Sequence, residues 1–472
     1  MHRVLLSLAA LATLIAGPSW AQGRKNAPLA RVEAQTPAWL APYRPVADQV
    51  LAAAKGADKS FAWDRLALMT DTFGPRLSGS PNLDATLRWA EAEMKKDGLD
   101  NVRLEPVMVP HWIRGDESLD IVEPFPNRVL ILGLGGSIGT RPEGVTGEVM
   151  IVKSFDELAA RKAEAPGKII LFNVPYTNYG ETVRYRSGGA SAAARVGGVA
   201  ALVRAVGLPG LRTPHTGAMR YEDGVARVPT AAVPTEDADR FDRMARRGQK
   251  IVVRLRMDAQ FLPDAPSANV VGEIRGSEKP EEVILLGGHI DSWDPGTGAM
   301  DDGAGCVVTW EALRILKALG LKPKRTIRVV LFTNEENGGA GGNGYRDAHL
   351  AELGKHILAL ESDSGVFKPR GFGFTGSDAA RKTLLEIVAL LKPIGADAIG
   401  PQGGGADIGA SVAAARIPSL SLEVDGARYF LLHHTPADTV DKIDAQDMAD
   451  NAAAIAFLAY VVADMTAPLP RP

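Results

Sequence analysis

The sequence predicts an α/β protein: a mostly parallel sheet with helices on both faces, interrupted by an inserted unit of α+β character. Three observations carry this reading. From about residue 283 to the end, short apolar, β-rich runs alternate with helical stretches, the pattern of a mostly parallel sheet. Between 124 and 262 the texture changes to many short Val/Ile-rich runs, which reads as a separate unit inserted into the first. Several runs of the first kind also end in histidine or carboxylate, and in an open α/β sheet ligands gather beyond the carboxyl ends of the strands.

Taken in order, the N-terminus reads as an export signal. Arg3 supplies the positive start, Leu5 to Gly17 a short apolar stretch, and Ser19 and Ala21 the small residues before a cleavage site, giving a leader over 1–21. That stretch falls short of the roughly 20 residues needed to span a bilayer, so no membrane anchor is expected after cleavage, and the protein should be periplasmic or secreted. Ser80, Pro81, Lys95, Lys96 and Gly98 mark the cap, first residue, last turn and stop of a helix. The catalytic unit is expected over 22–123 and 263–472. Its predicted elements are strands at 283–287, 326–333, 355–360 and 417–423, and helices at 304–319, 379–391 and 444–465, the last amphipathic. Within the insert, 155–161 and 235–247 read as helices, and 173–191, rich in Tyr, Gly and Ser, as a long loop.

Composition limits the partner. With 53 basic and 56 acidic residues well mixed and a net charge of -3, nothing marks a nucleic-acid or membrane-binding face. Cys306 is the only cysteine, so stability must come from burial rather than disulfides. Its place just beyond the Asp301 turn suits a packed side chain. The expected partner is a peptide substrate, with a second copy of the chain, as a homodimer, compatible with the sequence.

The chemistry-bearing residues lie at strand ends. His289 and Asp291 follow the run ending at Gly288, and Glu335 and Glu336 follow the strand at 326–333. Asp363 follows the next strand, and His433 and His434 lie beyond the run from Ile417. The turn at Gly298–Gly305 adds Asp301. Any one of these is explained by solvated loop charges; their repetition at one edge is not. Imidazole nitrogen and carboxylate oxygen suit zinc. Two zinc ions about 4 Å apart need an anionic bridge, for which Asp301 in its glycine-rich turn is the natural choice. Asp301, Glu336, Asp363 and one hydroxide would balance the four positive charges. Cobalt or manganese also fits such donors. Asp291 is expected to orient His289 through its second ring nitrogen, and Asp438 to serve His434 likewise.

Together, His289-x-Asp291, Gly298-Ala-x-Asp301-Asp302-x-x-Gly305, Asn334-Glu335-Glu336, Asp363 and His434-Thr-x-x-Asp438-Thr439 resemble the M28 zinc peptidases. Within that family the plasma glutamate carboxypeptidase branch is the most similar, through His289-Ile-Asp-Ser-Trp-Asp294 and Ala299-Met-Asp-Asp-Gly303. The resemblance implies a zinc exopeptidase-like fold with a protease-associated-type insert. It also implies one zinc on His289 and Asp363, a second on Glu336 and His434, Asp301 bridging, and Glu335 as general base to a metal-bridging hydroxide. A strained or cis peptide bond is implied after Asp301. The activity expected is removal of N-terminal residues from dipeptides or short peptides. The alternatives are a carboxypeptidase, a glutaminyl cyclase or another amide hydrolase on the same site, or a non-catalytic binding protein of the same fold. Asp407, in a glycine-rich loop, and Tyr429 are candidates to line the substrate pocket. His433 is a third, although residues adjacent in extended chain point opposite ways, which favours packing for it.

Overall fold

A computed structural model describes residues 29–31, 37–56 and 60–471. The expected export segment lies outside them, and no described helix is long and apolar enough to cross a membrane. The described residues build two eight-stranded sheets. The first runs in the order Asp100–Ile113, Gln260–Ile274, Arg325–Phe332, Lys279–His289, His356–Glu361, Ser419–Val424, Pro369–Thr375, Ala398–Gly400. Its four central strands, from Arg325–Phe332 to Ser419–Val424, are mutually parallel, and antiparallel strands flank them. The α/β expectation therefore holds.

Of the parallel strands, Arg325–Phe332 and His356–Glu361 are buried along their length, as strands covered by helices on both faces must be. Pro81–Lys96 is capped as expected: the Ser80 side chain accepts from the Leu83 amide, and two lysines close the last turn. The helix Ala445–Asp464 is capped by Asp444 but is not amphipathic: every side chain from Ala452 to Ala463 is buried. It packs against the equally apolar Ala304–Ala318, so helix meets helix where a solvent face was expected.

The second sheet belongs to the insert, from Glu117–Glu123 to Val252–Met257, with its own apolar cores. The expected edges at 124 and 262 differ from where the chain changes sheets. The antiparallel pair Asp100–Ile113 with Gln260–Ile274 hands over directly to Glu117–Glu123 with Val252–Met257. Gly115, at φ 66°, makes the passage because a Cβ there would meet Asp258 at 2.8 Å. Leu119 and Ile121 are buried just beyond the joint, which the Gly115-Asp116 pair marks in the sequence ahead of the expected edge.

The expected loop at 173–191 is mostly helix, Tyr179–Arg195. Asn178 caps it by accepting from the Glu181 amide. Gly189, which weakens a helix by propensity, is favoured by packing, since a Cβ there would sit a tight 3.1 Å from the Phe172 ring.

Candidate active site

The four parallel strands deliver their ends to one edge of the first sheet. His289 is the last residue of its strand, Glu335 and Glu336 follow Arg325–Phe332 closely, and Asp363 lies two beyond Glu361. His434 follows the short helix Tyr429–Leu432 and adopts φ 62°, as Asn334 adopts 66°, both in the left-handed region that few non-glycine residues enter. Asp301 arrives from the glycine-rich turn, joined to Asp302 by a cis peptide bond.

Asp301 lies between two donor pairs. One of its oxygens is 3.3 Å from His289 Nε2, which is itself 3.5 Å from Asp363. The other is 3.1 Å from His434 Nε2, which is 2.9 Å from Glu336. Four ligands held tetrahedrally at zinc distances stand about 3.4 Å apart, close to these separations. His289 Nε2, Asp301 Oδ2 and Glu336 Oε1 are buried without hydrogen-bond partners, as donors awaiting a cation would be. The residues present therefore fit a pair of zinc ions.

The supports of these donors differ from expectation at three points. His289 Nδ1 lies 3.0 Å from the backbone carbonyl of Asp291, while the Asp291 carboxylate is 3.8 Å away. That carboxylate instead accepts from the amides of Glu335 and Glu336, fixing the backbone that carries them. Asp438 does not reach His434: it accepts from the amides of Met300 and Asp301 and so holds the bridging turn. His434 Nδ1 is met by the carbonyl of Thr216, 3.2 Å away, in the insert, while the Thr216 amide donates to the His434 carbonyl. Apart from the contact between His289 and Asp291, these bonds join residues far apart in sequence, so spacing carries no sign of them.

Asp302, absent from the expected set, accepts from the His289 amide and groups with His289 and Asp363. Gly288 and Gly305 make room for it, since a Cβ on either would lie within 2.4 Å of its carboxylate. His433 stacks on His434 with ring centroids 3.5 Å apart, and its Nε2 is 3.5 Å from Asp301. It thus packs against a donor and also faces the cavity.

A cavity of about 720 Å³ opens over this cluster. Its floor is the first sheet, with Asp301, Glu335, Glu336, Asp363 and Asp407, and Tyr429 and His433 at the side. Its roof is the insert, with Tyr179, Arg186, Met219 and Tyr221. Burial pushes Glu335 well above the usual carboxylate range, and Asp363, Glu336 and Asp291 add to this against the pull of His289. Burial likewise raises Glu336 to about 7 and Asp407 well above its ordinary value. Both Asp407 oxygens lack partners. So many crowded carboxyls favour bound cations.

The pattern of peptidase family M28 matches residues 269–459. Over 433 residues the chain is 47% identical to carboxypeptidase Q of Mus musculus, covering 92% of each. It is 48% identical to carboxypeptidase Q of Homo sapiens over 88% of each. Among solved structures, a peptidase M28 precursor from Shewanella amazonensis superposes with a TM-score of 0.88 at 37% identity, over 92% of this chain and 99% of that one. A zinc aminopeptidase from Bacillus subtilis shares the fold, with a TM-score of 0.65 at 21% identity, over 86% of this chain and 96% of that one.

Proposed function

The chain belongs to peptidase family M28 and is a hydrolase of that family; on that premise we propose that it is a dinuclear zinc exopeptidase, releasing N-terminal residues from dipeptides or short peptides. The observation that carries the proposal is Asp301, whose two oxygens face two separate histidine–carboxylate pairs. His289 and Asp363 would hold one zinc, Glu336 and His434 the other, with Asp301 between them. The zinc pair, when bound, supplies Lewis acidity for the scissile carbonyl and acidifies water. Glu335, at the cavity wall, takes a proton from the attacking water and returns it to the leaving nitrogen. Asp291 keeps that carboxylate in place through the amides it accepts. Asp407, with both oxygens free of partners, faces the substrate's ammonium end. The basic and apolar N-terminus supports export.

The name carboxypeptidase Q, borne by the relatives, favours a second reading in which the C-terminal residue is the one recognised. Metal analysis with paired substrates separates the two. The expected result is two zinc ions per chain and rapid hydrolysis of dipeptides with a free amine. N-acetylated dipeptides should be poor substrates; their undiminished cleavage would overturn the aminopeptidase reading.

A further inference from the structure

Where the outer ribbon of the first sheet meets the insert, the cavity wall turns apolar. Pro110, Trp112 and Phe261 line it from the antiparallel pair Asp100–Ile113 with Gln260–Ile274, and Gly136, Ala218 and Met219 line it from the insert. Backbone and ring contacts hold this corner in one shape. Phe261 stands opposite Trp112 in the register of the ribbon, and the Trp112 indole donates to the Ser137 carbonyl at 2.8 Å. The Gly135 amide donates to the Gly217 carbonyl, and the Gly135 carbonyl accepts from the Met219 amide. A Cβ on Gly135 would meet the Trp293 ring at 1.8 Å, so only glycine lets the insert approach this closely. Aromatic rings then lead from the corner to the donors: Trp112 meets Trp293 at 6.3 Å between centroids, and Trp293 meets His434 at 5.9 Å, both edge to face. Trp112 and Met219 are buried, whereas Phe261 keeps 52% of its surface exposed on the cavity wall. An aromatic side chain carries about 150–250 Å² of mostly apolar surface, so covering this one favours an apolar ligand group.

We propose that this corner takes the side chain of the residue that leaves with the scissile nitrogen, that the preferred substrates are dipeptides with a large apolar second residue, and that Phe261 determines this preference. With the ammonium end at Asp407 on the floor of the first sheet and the scissile bond over the donor cluster, the leaving residue points toward the insert. Its side chain branches from the atom next to the scissile nitrogen, so it needs little reach to pass Trp293 and lie against Phe261. Leucine, methionine or phenylalanine at that position covers the exposed ring and loses its own contact with water. Glycine or alanine leaves the ring wet. This rests on the exopeptidase reading above.

The test measures kcat/KM for alanylphenylalanine, alanylalanine and phenylalanylalanine on the zinc-loaded full chain, on Phe261→Ser and on Phe261→Leu. The parent should favour alanylphenylalanine over alanylalanine by at least about tenfold, the discrimination that an apolar pocket gives even for a single methylene. In Phe261→Ser that ratio should fall toward one, mainly through KM, and Phe261→Leu, which keeps apolar cover, should restore most of it. The ratio of phenylalanylalanine to alanylalanine should be the same in all three proteins. Each ratio is taken within one preparation, so a variant that folds less completely or holds less zinc lowers both rates and leaves the ratio readable. Equal parent rates on alanylphenylalanine and alanylalanine would overturn the proposal, as would an unchanged ratio in Phe261→Ser or a loss confined to phenylalanylalanine. Cleavage of N-acetylated alanylphenylalanine as fast as the free dipeptide would sink the aminopeptidase reading, while the ratio at the second residue still decides for the corner.

Discussion

Glu335, the proposed base, is half-buried beside other acids, and the Asp291 carboxylate accepts from its amide at 3.0 Å. Replacing it by glutamine keeps the shape and removes the base. Glu335→Gln should cut kcat by about 10²–10⁴-fold with zinc per chain unchanged, measured by turnover beside metal analysis. A second residue, remote from the cavity, carries a pH signature. His356 is buried, accepts from the Tyr345 hydroxyl, and lies with its other ring nitrogen 3.2 Å from the Glu352 carbonyl. Burial, helped by the Arg328 charge, lowers it to about 4. Between that value and the ordinary 6.5 the unfolded chain binds the proton that the folded one refuses, so stability rises with pH there and is lost as pH falls. The loss amounts to about 3 kcal/mol across the window. His356→Gln should flatten this part of the curve of melting temperature against pH; parallel curves would refute the assignment. Of the proposed donors, His289, Glu336 and Asp363 stand at or just beyond strand ends and Asp301 in a turn, where the sequence pattern points, whereas His434 comes after the short helix Tyr429–Leu432 that the sequence did not signal. Their supports, Asp291 through amides and Asp438 through the bridging turn, depend on folded contacts.

At the scale of elements, the insert is fastened to the segment that bears His434. Thr216 exchanges two hydrogen bonds with His434, the Leu208 amide donates to the Phe430 carbonyl, and Tyr179 stacks on Phe430. Gly217 permits the approach: it sits at φ 131°, and a Cβ there would lie 2.3 Å from the Arg186 guanidinium and 2.7 Å from His434 Nδ1. Gly217→Ala should displace the His434 ring, halve the zinc retained under limiting metal and lower activity at least about tenfold, with excess zinc restoring part of it. Metal analysis after dialysis reads this directly, and full retention of zinc would remove the insert from the metal site. Helix Tyr179–Arg195, which carries the Tyr179 contact, was the element least legible in the sequence. Its Gly-Gly pair and polar face suggest a loop, whereas Gly189 lies close against the Phe172 ring. The helix Ala445–Asp464 fails in the opposite sense, since the flanking aspartates suggest a wet face and the alanine-rich span is buried throughout.

For the whole molecule, the two units share one ribbon at Gly115 and one functional seam. Arg114, at the crossing, pairs with Asp294 through two bonds of 2.6 and 2.7 Å while also donating to Thr216, so a single guanidinium ties the first unit to the insert. The seam closes over the donor cluster, whose carboxyls repel one another unless cations lie between them. The insert has its own cores on both faces of its sheet and contributes none of the clustered donors. Removing zinc should therefore weaken the first unit and the seam while sparing the insert. Ligand linkage at saturating metal is worth about 4 kcal/mol, which for a unit of this size shifts melting on the order of 10 °C. Calorimetry of the zinc-loaded chain is expected to give one transition, and chelation two, the lower belonging to the catalytic unit and returning on zinc addition. A single transition that keeps its midpoint after the metal is gone would show that the cluster does not need cations to hold its carboxyls together, and with that the dinuclear reading would fail.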